Sequence, residues 1–308
     1  MMDCCASRPF SLLGRSSVSQ SLFREPRSTT PVSGSGSYLF AASMLAFVGL
    51  FVGALTILFI SNVDYIFRNV GAERLGELAR TLVSSEILAA VWLSAWTTVV
   101  TMCLGLVLAI PMGYALSRYR FPGHTLVDSI VDLPIILPPL VVGLALLVFF
   151  QTDLGKLMEG VGLKFVFQKK GIVLCQLLVS ASFGIRAMKL TFDSIDTRLE
   201  NVALTLGSGR VGTFFRVSLP MAWRGIVASA ILIWTRALGI FGPLMVFVGA
   251  VRNRTEVLPT TVYLEQSVGH LEVALAVAVL MLALAVTALV GIRVVGLGQR
   301  RSKWTGSI

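Results

Sequence analysis

The feature that most limits what this chain can become is a series of long, almost uncharged apolar runs. Residues 39–60 contain no Asp, Glu, Lys or Arg. As a helix rising about 1.5 Å per residue, that run is long enough to cross a hydrocarbon core about 30 Å thick. Further runs lie at about 89–116, 127–150, 171–185, 225–250 and 273–295. Only 14% of residues are charged, against roughly 25% in a soluble domain, and the mean hydropathy is +0.82. Backbone polar groups inside a bilayer must be satisfied within the segment, so the spans are helices. The expectation is an all-α, polytopic membrane protein with six transmembrane helices.

Other classes are excluded on composition and motif. The net charge of +10 is scattered at span ends rather than gathered into a stripe, which argues against nucleic acid. Cys4 and Cys5 lie in a polar tail with no apolar signal region before them, and Cys103 and Cys175 lie within spans. No disulfide framework or lipidation signal follows. His124 and His270 are too few and too far apart for a metal site. No phosphate-binding loop, nucleophile elbow or zinc-protease motif is present, so neither a catalytic site nor a cofactor is implied.

Taken in order, residues 1–37 are rich in Ser, Arg, Pro and Gly and predict a disordered basic tail. Residues 38–86 hold the first span and an extracytoplasmic loop in which Leu75, Leu78, Ala79 and Leu82 share a helical face, the pattern of an amphipathic surface helix. Residues 87–296 form the membrane core, and 297–308 a basic C-terminal tail. Trp92 and Trp96 mark one interface of the second span, Tyr114 and Tyr119 the other. The third span carries Pro134, Pro138 and Pro139, which cannot all sit in a regular helix. It is either broken beside a translocation path or kinked for packing.

One polar segment, 193–220, is patterned as a helix–turn–helix. Thr197 and Glu200 have the spacing of a capping box. Leu199, Val202, Ala203 and Leu206 form one apolar stripe, and Gly207 stands where a left-handed cap is needed. Val211, Phe214 and Phe215 form a second stripe flanked by Arg210 and Arg216, and Leu219-Pro220 closes the unit. Which stripe packs on the spans and which faces a partner is left open by periodicity.

This spacing resembles the signature loop of permease subunits of ABC importers, Glu-Ala-Ala-x3-Gly-x9-Ile-x-Leu-Pro. Asn201, Val202 and Ala203 take the first three places, and Gly207, Val217, Leu219 and Pro220 the rest. Asn201 departs from the pattern, with Glu200 immediately before it. The stretch from Arg236 to Tyr263 and the proline-rich third span resemble the molybdate/sulfate branch of these permeases. Arg236, Ala237, Leu238, Gly239, Phe241 and Gly242 match its motif, and Ile240 replaces a usual Glu.

The resemblance implies cytoplasmic ATPase subunits docked on the loop, an extracytoplasmic solute-binding protein and a second permease copy. It implies an oxyanion cargo, molybdate or tungstate first and sulfate next. A self-sufficient carrier or channel is the alternative, disfavoured by the scarcity of carboxylates within the spans.

Arg236 lies deep in the fifth span and has two readings. It lines the path, or it holds the bundle together through carbonyls or through Asp128 or Asp132. Gly239, Phe241, Gly242, Pro138 and Pro139 are the other path candidates. The larger share of the 26 lysines and arginines falls on the side of both tails and the 193–220 loop. The positive-inside rule therefore places that side in the cytoplasm of a cell with an inner membrane.

Overall fold

The computed structural model describes residues 35–160 and 164–298, and the described residues are helical with no strand. The expected disordered tail, Cys4 and Cys5, and the basic residues from Arg300 onward lie outside them. So do the side chains of the 62–81 face on which Leu75, Leu78 and Ala79 fall. The chain divides into a unit ending at Ile60 and a second beginning at Ser61.

Helix α1, Ser35–Leu82, contains the apolar span Ala42–Ser61 and continues as helix through the segment where a helical face was expected. In the second unit, α2 (Ser85–Arg118) is capped by Ser84, whose hydroxyl accepts from the Ile87 N–H. Of the two readings of the next span, a break or a kink, the structure has the break. Helices α3 (His124–Ile136) and α4 (Pro139–Gln151) meet at 110°. Pro134 is tolerated within α3, while Leu137 and Pro138 turn extended. A short α5 (Asp153–Gly160) precedes α6 (Lys169–Asp193), the most deeply enclosed span.

The segment after α6 folds as α7 (Thr197–Thr205), α8 (Arg210–Thr213), a π-helical turn over Phe214–Ser218, and α9 (Leu219–Met221). Helix α10 (Trp223–Leu238) re-enters the core at 72° to the preceding stretch. The fifth span does not run unbroken to residue 250 as the hydropathy suggested. It stops at Gly239, and α11 (Gly242–Phe247) restarts at a glycine–proline pair. Pro243 has no N–H to continue an incoming helix but suits a first turn, so apolar composition alone overstates the length. Helices α12 (Leu258–Val268) and α13 (Leu271–Gly298) complete the described fold. Among the described residues four helices are individually long and apolar enough to cross a membrane, and counting each bent pair as one span gives up to six.

Helices α2, α6 and α10 pack together at the centre. Their approach is close: a Cβ on Gly113 of α2 would lie 2.6 Å from Met188 Cβ and 2.9 Å from the Lys189 nitrogen of α6. Polar groups lock the same three helices. The Thr101 hydroxyl donates to Gln176 Oε1 at 3.0 Å, and Gln176 Nε2 donates to the Ala237 carbonyl at 3.3 Å. In a low-dielectric interior such satisfied pairs fix register where apolar contacts alone would slide.

Candidate functional site: the clamped loop and the broken spans

A buried carboxylate ties the 193–220 loop to the bundle. Glu200 does not close a capping box with Thr197. Helix α7 is capped instead by Asp196, whose Oδ1 accepts from the Arg198 N–H at 2.9 Å. Glu200, 8% exposed, turns toward α2. Its Oε1 accepts from Arg118 Nε at 3.0 Å and from the Ser218 hydroxyl at 2.9 Å, and its Oε2 from the Tyr114 hydroxyl at 3.2 Å. Arg118 also donates to the Ile195 carbonyl at 2.9 Å. One group thus ties α2, the end of α6, α7 and the π turn. The Tyr114 ring packs edge-on against Phe192 and Phe214, with centroids at 5.2 and 4.7 Å. The carboxylate that organises the loop stands one place before Asn201, the position that departs from the pattern.

Gly207 has φ +87°, and a Cβ there would meet nothing within 4 Å. It is needed for backbone conformation, not for space. The Ser208 N–H reaches the Ala203 carbonyl and the Gly207 N–H the Leu204 carbonyl, ending α7. Pro220 does not stop the unit. The π turn lets the Leu219 N–H reach the Phe214 carbonyl, and Pro220 sits in the first turn of α9, where its missing N–H is harmless. Phe214 packs inward, and Val217 is half-buried. Leu199, Val202, Leu206, Val211 and Phe215 remain exposed, as do Asn201 and Arg210. Apolar side chains from both sequence stripes therefore remain exposed.

Arg236 pairs with neither Asp128 nor Asp132. Arg186 takes both carboxylates, reaching Asp128 at 2.8 Å, and Lys189 Nζ adds a contact to Asp128 at 2.9 Å. These pairs bind α3 to α6. Helical geometry puts Arg186 within reach of Asp128 and Asp132 together because they lie one turn apart on α3. Arg236 instead lies over the Phe183 ring, 4.9 Å from its centroid, on an exposed face of α10 with Leu232 and Thr235. Gly239, Phe241 and Gly242 form the break just beyond it, and the Phe241 ring lies 5.1 Å from that of Tyr263. Ile240 is buried in an apolar cluster with Leu244 and Phe247, a setting that would leave an ionised Glu unpaired. Pro138 and Pro139 are exposed at the α3–α4 break.

Residues 104–302 match the profile of the binding-protein-dependent transport system inner membrane component. The chain belongs to that family. Among curated relatives it is 34% identical to the molybdenum transport system permease protein ModB of Escherichia coli K12, over 56% of this chain and 78% of the relative. It is also 34% identical to the molybdate/tungstate transport system permease protein WtpB of Thermococcus kodakarensis, over 68% and 76% respectively. Among solved structures, a bacterial ABC transporter that imports the acidic polysaccharide alginate superposes with a TM-score of 0.68 at 17% identity. It covers 84% of this chain and 95% of its own. The MetNI methionine ABC transporter superposes with a TM-score of 0.56 at 19% identity, covering 70% and 95%. The all-α permease fold expected from the sequence is the fold found, in a multi-pass membrane protein of a transport family.

Proposed function

We propose that this chain is the permease subunit of an ATP-driven importer for a tetrahedral oxyanion, molybdate or tungstate. ATP is hydrolysed by separate cytoplasmic subunits, and the cargo is delivered by an extracytoplasmic binding protein. The observation that carries the proposal is the exposed apolar face of the 193–220 loop, clamped to the bundle through Glu200 and Arg118. Exposed leucine, valine and phenylalanine on a polar loop mark an interaction surface. The buried ion pair beneath makes the loop a lever, because force on α7 is transmitted to α2 and α6 rather than absorbed by hinge motion. The names of the relatives supply the cargo, and the positive-inside count supplies the cytoplasmic placement of the loop and both tails.

Arg236 extends the proposal to a second permease copy. It stands about 20 Å along α10, on a face the single chain leaves exposed. A guanidinium facing lipid at that depth costs roughly 2.5–3.5 kcal/mol or more. A water-filled path between two copies removes the cost and gives a passing dianion a counter-charge beside the break at Gly239–Gly242. The docking assignment is tested with Gly207→Pro, which cannot adopt φ +87° and lacks the N–H that ends α7. Membrane insertion is expected to persist while the ATPase subunit no longer co-purifies. Unchanged co-purification would overturn the assignment.

A further inference from the structure

We propose that the groove between α2 and α6, at the end of the bundle opposite the 193–220 loop, is a binding site for one anionic phospholipid. Its phosphate sits on Lys169 and Lys170, and one acyl chain lies along the helices. An apolar cavity of 420 Å³ runs there between Trp96, Val100 and Leu104 on α2 and Val173, Leu174 and Leu177 on α6. Lys169 and Lys170 close its upper end and also line a second cavity, of 360 Å³, with Lys164, Gln168 and Arg254. The site therefore joins a basic chamber to an apolar slot through two shared lysines.

The charges call for an anion. Among the described residues, none of Lys164, Lys169, Lys170 and Arg254 has a carboxylate within ion-pair distance. Glu256 lines a further cavity with Lys169 and Arg254 but forms no ion pair with either, so four positive charges face one carboxylate here and a net attraction for an anion remains. The start of α6 adds to the field. Its N-cap Gln168 makes no side-chain cap, so the positive end of this 25-residue helix is left beside Lys169 and Lys170.

The slot selects among anions. From Trp96 to Leu104 it extends about 12 Å, close to the roughly 15 Å depth of one leaflet's hydrocarbon. It starts beside Trp96, half exposed at the level of an interfacial tryptophan. A free oxyanion would fill the chamber and leave the slot bare. A neutral lipid, or a helix of a second copy, would fill the slot and leave the lysines unpaired. An anionic phospholipid matches both halves.

The test uses the full chain, purified in detergent and mixed with equal amounts of phosphatidylglycerol and phosphatidylcholine bearing the same acyl chains. Retained lipid is read by native mass spectrometry. Phosphatidylglycerol is expected to be retained at least tenfold in preference, and Lys169→Gln with Lys170→Gln should bring the two lipids to parity. Leu104→Trp, at an exposed position that tolerates bulk, should lower retention of both lipids severalfold while the charge preference persists. Equal retention by the unaltered chain, or a preference that survives the double substitution, would overturn the proposal. So would binding of inorganic sulfate to the delipidated chain that the double substitution abolishes, which would indicate a free-anion site. Efficient cross-linking between copies through Leu104→Cys would overturn it in favour of a second copy in the slot.

Discussion

Glu200→Gln should unclamp the loop without unfolding the bundle. The side chains of Glu200 and Arg118 are 11% and 10% exposed, so the pair is largely shielded from water. Removing the charge from one partner leaves the other buried and uncompensated, which typically costs 3–5 kcal/mol. The amide can still accept from Ser218 or Tyr114, and Arg118 keeps its bond to the Ile195 carbonyl. A loss of about 3 kcal/mol is therefore expected, on the order of a hundredfold in the local opening equilibrium. Hydrogen exchange followed by mass spectrometry on the chain in nanodiscs reads this directly. Amides of α7 and of the π turn should exchange about a hundredfold faster, while those at the centre of α6 stay protected. The double variant Glu200→Leu with Arg118→Met should recover most of the protection, since an apolar pair of similar volume fills the space without stranded charge. An increase below threefold in Glu200→Gln would show that the loop is held by something other than this carboxylate.

Gly113→Ala should cost about 1–3 kcal/mol, because the new methyl meets the Met188 and Lys189 backbone of α6 rather than a mobile side-chain end; an unchanged thermal midpoint in detergent would refute the close-packing argument. Glu256, 4% exposed in the loop after α11, has its carboxyl pushed above the usual glutamate range by burial, and its Oε2 has no hydrogen-bond partner among the described residues. Its folded form therefore binds a proton more readily than its unfolded form. The stability it contributes is present below the ordinary glutamate pKa of about 4.3 and is lost as pH rises from there through the raised value. Glu256→Gln should thus raise the thermal midpoint at pH 8 and leave it nearly unchanged at pH 4, and the opposite ordering would contradict the burial argument.

What could be read from the sequence was set by local chemistry. The left-handed Gly207 and an interruption at the prolines of the third span follow from single-residue backbone limits, while the choice between break and kink did not. The Glu200–Arg118 pair joins residues 82 apart along the chain, and the pairing of Arg186 with Asp128 spans 58. Local pattern had assigned Glu200 to its own helix cap, since a capping box and a buried long-range carboxylate share the same spacing. The end of α10 was hidden for a different reason: Gly239–Pro243 is as apolar as a span, and hydropathy does not register where the backbone turns. The orientation of the two apolar stripes became legible only once Phe214 was seen against Tyr114.

The most direct measurement of the central claim is uptake by proteoliposomes, using radiolabelled molybdate supplied on its binding protein. With the ATPase subunit and ATP inside, accumulation against a gradient is expected. Without the ATPase, or with Gly207→Pro in the permease, it should fall to background. Uphill accumulation by this chain alone would contradict the account, because it would show a source of energy within the bundle and leave the clamped loop without its role.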